Sequence, residues 1–132
     1  MLPAVDVLAR HGRTPVTCLA VLLICRYQVS PEREASFVDR AQRALALLTR
    51  ADGCLDGSLG RAFDQSDRWV LTVRFASVVD YRRAMSPFEV REHVVPLLSE
   101  ALADEPATYE TLAEAAAGEV TDHVSLIEDR RG

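Results

Sequence analysis

Residues 17–32 read TCLAVLLICRYQVSPE and contain both a β-strand and the beginning of a helix. The part from 17 to 29 is apolar and rich in β-branched side chains, which is typical of a strand with both faces largely covered. Ser30 is a favourable helix N-cap, Pro31 is tolerated in a first helical turn, and Glu32 complements the helix dipole. This stretch therefore predicts a strand followed directly by a helix.

The helix after Pro31 is predicted to continue to about residue 51. Its apolar residues recur at spacings of three and four and form one face: Phe37, Ala41, Ala44, Leu45 and Leu48. Its arginines lie mostly on the other side: Arg33, Arg40, Arg43 and Arg50. The helix should end near Asp52 and Gly53, because glycine readily adopts the left-handed conformation found after helices.

Two further strands are predicted at 54–63 (CLDGSLGRAF) and 69–76 (WVLTVRFA), joined by a polar turn at 64–68 into a hairpin. A strand is also predicted at 106–112 (PATYETL).

The second helical region lies between the hairpin and the last strand. Ser77 and Asp80 resemble a capping box for a short turn from 78 to 85. Ser86 and Glu89 form a second capping box, and the helix they begin should kink or split at Pro96.

The order β, α, β, β, α, β predicts an α+β fold of the ferredoxin-like type, a four-stranded antiparallel sheet with both helices on one face. The strands are apolar on both sides, so the helix-free face should pack against a second copy as a homodimer. The alternative is that a terminal segment covers it. We expect one domain at 17–112, an N-terminal extension at 1–16 and a C-terminal tail at 113–132, for which a helix is the alternative.

Composition excludes several classes of protein. The chain has 132 residues, which suits one domain, and its net charge is −5 without any clustering of its arginines. An acidic surface of this kind disfavours nucleic acid and anionic membranes. The apolar stretch near the N-terminus is too short to cross a bilayer and lacks signal-peptide features, so we expect a cytoplasmic protein. The three cysteines match no zinc or redox spacing.

The sequence resembles the antibiotic biosynthesis monooxygenase family from about Ala20 to Leu112. The resemblance is carried by the order and spacing of short segments, namely the apolar first strand, Ala51-Asp52-Gly53-Cys54-Leu55, Phe63-Asp64-Gln65-Ser66-Asp67-Arg68-Trp69, Phe75-Ala76-Ser77 with Tyr81-Arg82, and Glu105-Pro106 to Tyr109. It implies a dimeric α+β barrel that oxidises a hydrophobic, aromatic, polyketide-like molecule with O₂ and needs no cofactor or metal.

The resemblance also implies catalytic residues. Trp69 matches the family's strand tryptophan, and Gln65 stands where an asparagine is usual. Arg91 is the nearest candidate for an arginine of the second helix. A related branch degrades haem with a histidine, but the corresponding residues here are Val78, Val79 and Asp80, which disfavours haem breakdown.

The remaining site candidates come from residue chemistry. His93 is a candidate general base, because the unperturbed imidazole pKa suits proton transfer near neutral pH. Arg74, Phe75, Tyr81 and Phe88 are predicted to contact the substrate.

Each candidate has a structural alternative. Trp69 is an ordinary core residue in that view, and His93 a surface or interface histidine. Arg74 is then an ion-pair partner of Asp56 or Glu110, while the aromatic residues pack helix against sheet. The corresponding functional alternative is a dimeric barrel without catalysis that binds a small ligand or has only a structural role.

Overall fold

The computed structural model describes residues 20–125, so the predicted extension at 1–16 and the last part of the tail lie outside the described residues. The strands and helices follow one another as β1 (Val21–Gln28), α1 (Glu34–Thr49), β2 (Cys54–Arg61), β3 (Arg68–Phe75), α2 (Val78–Ala84), α3 (Phe88–His93), α4 (Val95–Ser99), β4 (Thr108–Glu110), β5 (Ala113–Ala116) and β6 (Glu119–Asp122).

The main sheet has four antiparallel strands in the order β2-β3-β1-β4. Its central pair, β1 and β3, aligns Val21 with Phe75 and Tyr27 with Trp69. β3 lies between β1 and β2 in the sheet, and β1 lies between β3 and β4. The helices that connect these pairs must therefore cross over the sheet, and right-handed crossovers place them on one face. The predicted ferredoxin-like α+β fold is therefore confirmed.

The core lies between this sheet and the helices. Alternate residues of β1 and β3 point toward the helices and are buried, including Leu23, Cys25, Leu71, Val73 and Phe75. They pack against apolar residues of α1, α3 and α4, such as Phe37, Ala44, Leu48, Val90, Val94 and Leu97. The spacing of apolar residues on α1 predicted this buried face correctly, because a period near 3.6 places them on one side of the helix.

The opposite, helix-free face of the sheet is mixed rather than uniformly apolar. Leu22, Ile24 and Val70 form a half-buried centre on β1 and β3. Polar side chains surround that centre: Arg26, Gln28, Asp56, Ser58, Arg68, Thr72 and Arg74. The expectation of strands apolar on both sides therefore holds only for the middle of this face.

Local signals at the helix ends were partly right. Ser77 caps α2 as predicted, since its Oγ accepts a hydrogen bond from the Asp80 backbone N–H at 3.1 Å. Ser30 makes no such bond, and residues 31–33 form a 3₁₀ turn before α1. The predicted Ser86 capping box is wrong, because α3 begins after Pro87 without a side-chain cap and the Ser86 hydroxyl donates to the Arg83 carbonyl instead.

Two predicted breaks in the helices are found. The second helical region is divided between α3 and α4 at Val94, two residues before Pro96. Gly53, just beyond α1, has a φ of +86°. Both follow from backbone chemistry, since proline cannot donate a helical hydrogen bond and glycine bears no side chain.

Residues 113–122 form an antiparallel hairpin of β5 and β6 where the sequence suggested a tail or a helix. Ala117 and Gly118, both with positive φ, make its turn. The hairpin approaches the helix-free face, where the Glu114 carboxylate lies 3.6 Å from a guanidinium nitrogen of Arg74. Tertiary contacts of this kind outweigh the helix propensity of alanine.

Candidate functional site

Trp69 lies at the beginning of β3 with its side chain directed toward the helices. Its neighbour on β1 is Tyr27, and its neighbour on β2 is Arg61. The Phe37 ring meets the indole edge to face with 5.5 Å between centroids, and the Arg61 guanidinium lies 5.0 Å above the indole centroid. A salt bridge of 2.7 Å to Glu34 holds that guanidinium in place. Trp69 is thus fixed between an aromatic ring and a cation.

The indole N–H of Trp69 is buried and has no hydrogen-bond partner among residues 20–125. Only 9% of the residue is exposed. Tryptophan usually satisfies this donor when it is buried, because an unpaired buried donor costs about 1–3 kcal/mol. This donor is therefore unsatisfied in the described part of the chain, and an acceptor could reach it only after a neighbouring side chain moves.

A cleft of about 290 Å³ opens on the other side of Phe37. The end of β1 and the first turns of α1 supply most of its lining, and Glu100 supplies the rest: Tyr27, Gln28, Val29, Arg33, Ser36, Phe37, Arg40 and Glu100. We call it the Phe37 cleft. Phe37 lines the cleft and also contacts Trp69, whereas the indole itself is not part of the lining.

The walls of the Phe37 cleft are held by hydrogen bonds. The Arg40 guanidinium donates to both carboxylate oxygens of Glu100 at 3.0 and 2.8 Å, which lowers the pKa of that carboxyl below its usual value. The Tyr27 hydroxyl donates to the Leu97 carbonyl at 2.9 Å, and burial raises the pKa of this phenol. Tyr27 is therefore a neutral structural donor at physiological pH.

Three predicted catalytic residues lie on the surface, away from the Trp69 indole. Gln65 is exposed in the turn before β3, and Arg91 is exposed on α3. His93 is 37% exposed, and its Nδ1 lies 3.2 Å from a guanidinium nitrogen of Arg43 on α1. A guanidinium can only donate, so Nδ1 is the acceptor in this contact. The structure does not bring these side chains together with Trp69.

The predicted substrate-binding residues are also dispersed. Phe75 is fully buried and stacks edge to face with Tyr81 at 5.5 Å, but it lies six residues beyond Trp69 on β3, which is about 20 Å along a strand. Phe88 is 69% exposed. Arg74 points to the helix-free face, where it binds both carboxylate oxygens of Asp56. The predicted pairing of Arg74 with Asp56 is thus observed.

Residues 20–125 contain no group of three or more histidine, cysteine, aspartate or glutamate side chains that could hold a metal ion. Within the same residues, no helix is both long and apolar enough to cross a membrane.

The sequence interpretation missed the residues of the Phe37 cleft. It placed Phe37 in the core and the arginines of α1 on the opposite side. However, Arg33, Phe37 and Arg40 are spaced by four and three residues, which puts all of them within one helical stripe. That spacing was the available signal, whereas the contribution of Glu100 depends on tertiary packing.

Solved structures with a similar fold come from several organisms. SnoaB, a cofactor-independent oxygenase from Streptomyces nogalater, aligns with a TM-score of 0.59 and 19% identity over 76% of this chain and 99% of that chain. A Bordetella bronchiseptica protein named for the antibiotic biosynthesis monooxygenases aligns with a TM-score of 0.54 and 26% identity over 70% and 95%. A conserved Methanosarcina mazei protein has a TM-score of 0.59 and 19% identity over 73% and 94%.

A search of curated protein sequences found no match. The sequence model of the antibiotic biosynthesis monooxygenases matches residues 20–94. This match spans more than half of the 132 residues and agrees with the sheet order described above. The protein therefore belongs to the antibiotic biosynthesis monooxygenase family.

Proposed function

We propose that this protein is a cofactor-independent monooxygenase that oxidises a small hydrophobic aromatic molecule with O₂. Family membership supports the reaction class, and SnoaB supplies a cofactor-independent oxygenase with the same fold. The observation that carries the proposal is the unpaired, buried indole N–H of Trp69. A catalytic role is one of the recognised explanations for a buried donor without a partner, and Trp69 is also the residue that matches the family's strand tryptophan.

The proposed reaction converts a CH₂ group of the substrate into a carbonyl group. The substrate loses a proton to give a carbanion, which supplies the electrons that reduce O₂, and a hydroperoxide forms at that carbon. Elimination of water then leaves the carbonyl, with one oxygen atom in the product and the other in water. The Trp69 N–H would stabilise the enolate form of the carbanion by donating to its oxygen.

Substrate access to Trp69 requires movement of one side chain. Phe37 lines the open cleft and packs against the indole, which is not part of the cleft lining. We propose that the substrate enters through the Phe37 cleft and displaces this ring, which is anchored by packing and not by a hydrogen bond. The proposed reaction assigns no step to the other predicted site residues, which do not converge on Trp69: Gln65, Arg91, His93, Arg74, Phe75, Tyr81 and Phe88.

Oxygen uptake tests this proposal directly. Purified protein treated with a chelator should consume oxygen with one of a panel of hydroxylated anthrones and their two-ring carboxylated analogues, faster than these compounds oxidise alone. Trp69→Phe keeps an aromatic ring but removes the N–H, so uptake should fall about a hundredfold, the usual effect of losing an oxyanion donor. Gln42→Ala, on the exposed side of α1, is the matched control and should keep full activity.

Uptake that equals the uncatalysed rate for every compound of the panel, or that survives in Trp69→Phe, would argue against the proposed oxidation. Circular dichroism of both variants separates a loss of chemistry from a loss of fold.

A second candidate function is ligand binding without catalysis. The observation in its favour is that Phe37 fills the space beside Trp69 and that the predicted polar residues do not converge there. A pocket filled by side chains would be expected if the fold served only for binding or structure. Saturable binding of an aromatic ligand with no oxygen uptake would support this alternative.

We further propose that the protein forms a homodimer through the helix-free face. Members of the family are generally dimeric and bind small molecules. The half-buried centre of that face, Leu22, Ile24 and Val70, supplies an apolar contact area. Light scattering after gel filtration should give the mass of two chains for the native protein and of one chain for Ile24→Asp.

Val79→Asp is the control for the dimer experiment, because Val79 is exposed on α2 rather than on the helix-free face. A native protein that elutes with the mass of one chain at high concentration would contradict the homodimer.

A further inference from the structure

The Phe37 cleft has a surplus of positive charge in a protein of net charge −5. Its charged side chains are Arg33, Arg40 and Glu100. Arg40 and Glu100 neutralise each other through two hydrogen bonds. The Arg33 side chain makes no hydrogen bond or salt bridge with any of residues 20–125 and is exposed at the cleft, where its charge helps to lower the pKa of the Glu100 carboxyl. Its guanidinium N–H groups are therefore available to an anion.

The free guanidinium lies beside an apolar wall. Phe37, four residues after Arg33 and only 6% exposed, faces the same side of α1, and Val29 from the end of β1 adds to the wall. Guanidinium groups bind carboxylates through two parallel N–H bonds, while an aromatic ring gains most by packing against another ring. A cation at the edge of an aromatic wall is complementary to an aromatic acid.

The size of the cleft limits the ligand. About 290 Å³ is at the lower end of the roughly 300–1,000 Å³ typical of small-molecule pockets. We propose that the Phe37 cleft binds one- or two-ring aromatic carboxylates, with the ring against Phe37 and the carboxylate on Arg33. The inference rests on the proposed function in treating this cleft as the substrate entrance, and it narrows the substrate to an aromatic acid.

Binding can be measured without any reaction by fluorine NMR under nitrogen. The probes are 6-fluoro-2-naphthoate and its neutral primary amide, which have the same rings and nearly the same shape. The acid should bind roughly tenfold more tightly than the amide, the usual gain from a hydrogen bond to a charged group that is partly exposed. Arg33→Gln should remove this difference and leave binding of the amide unchanged.

Arg50→Gln is the matched control for Arg33→Gln. Arg50 is an exposed arginine at the other end of α1, so its replacement changes the net charge equally without touching the cleft. Its affinity for the acid should match that of the native protein.

A second variant should change acid binding in the opposite direction. Glu100→Gln removes the charge that occupies Arg40 and frees a second guanidinium in the cleft. Acid binding should therefore tighten about threefold to tenfold, while amide binding stays constant. A purely structural role for Glu100 would weaken binding of both probes together.

Equal affinities for acid and amide, equal weakening by Arg33→Gln and Arg50→Gln, or no binding of the acid at millimolar concentration would each overturn the inference. The outcome of the oxygen-uptake experiment is independent of the outcome of the binding experiment. Lost uptake with an intact preference for the acid would remove only the proposed oxidation. Intact uptake without that preference would remove only the acid site.

Discussion

Replacing Gly53 by alanine should destabilise the protein strongly, because two separate costs meet at this residue. Its φ of +86° lies in the left-handed region, where a side chain costs roughly 1–2 kcal/mol. A Cβ at this position would also lie 2.1 Å from Cγ of Asp80 and 2.4 and 2.5 Å from the carboxylate oxygens. The carboxylate must therefore move.

Moving Asp80 disturbs the beginning of α2. Its Oδ2 accepts a hydrogen bond from the Ser77 hydroxyl at 2.9 Å, and Ser77 Oγ in turn accepts from the Asp80 N–H. Loss of a helix cap typically costs about 1 kcal/mol. Gly53→Ala should therefore lower the free energy of unfolding by about 2–3 kcal/mol, the sum of the conformational and capping costs.

Urea unfolding followed by circular dichroism measures this loss as a lower midpoint at constant m-value. A double-mutant cycle with Asp80→Ala separates the two costs, since the alanine variant has no carboxylate to displace. The cost of Gly53→Ala should then fall by about 1 kcal/mol. Gly118→Ala is a control with a similar φ of +84° but no atom within 4 Å of the new Cβ, and it should show only the conformational cost of roughly 1–2 kcal/mol. A Gly53→Ala loss below about 0.5 kcal/mol, or one that Asp80→Ala leaves unchanged, would refute the reasoning.

Three further changes test the core and the cleft. Phe75→Ala, at a fully buried position, should cost about 3–5 kcal/mol in urea unfolding, and a loss near zero would mean that Phe75 is not in the core. Tyr27→Phe removes the hydrogen bond to the Leu97 carbonyl and should lower the free energy of unfolding by about 1 kcal/mol. An unchanged free energy would mean that this bond contributes nothing. Arg40 lowers the pKa of Glu100 in the folded state, so their pair stabilises the protein above the unfolded pKa of about 4.3 and loses this effect as the pH falls through the lower folded value. Urea midpoints between pH 7 and 3 should therefore fall less steeply in Arg40→Gln, and parallel curves would contradict the linkage.

Much of the fold could be predicted because its signals are local. The apolar run of β1, the repeating face of α1 and the glycine at position 53 each report the conformation of neighbouring residues. Their order along the chain then permits few topologies, since crossovers are short and right-handed. Local sequence signals gave a wrong prediction where a residue had an alternative hydrogen-bond partner nearby. Ser86, for example, bonds to the Arg83 carbonyl instead of capping α3.

The site was less predictable than the fold. Trp69 could be selected from the sequence by its resemblance to a family residue, but its unpaired N–H is visible only when every neighbour is placed. Likewise, Phe37 contacts both the indole and the open cleft because α1 packs against β2 and β3.

The sequence by itself determined the order of strands and helices from β1 to β4, the buried side of α1 and the family to which the chain belongs. Only the tertiary structure decided that Arg40 would be neutralised by Glu100, sixty residues away, while the Arg33 guanidinium at the cleft would bond to none of the described residues. Periodicity records which side of a helix or strand avoids water. The pairing of charges depends on distances between segments that are remote in the chain, and those distances are set by packing.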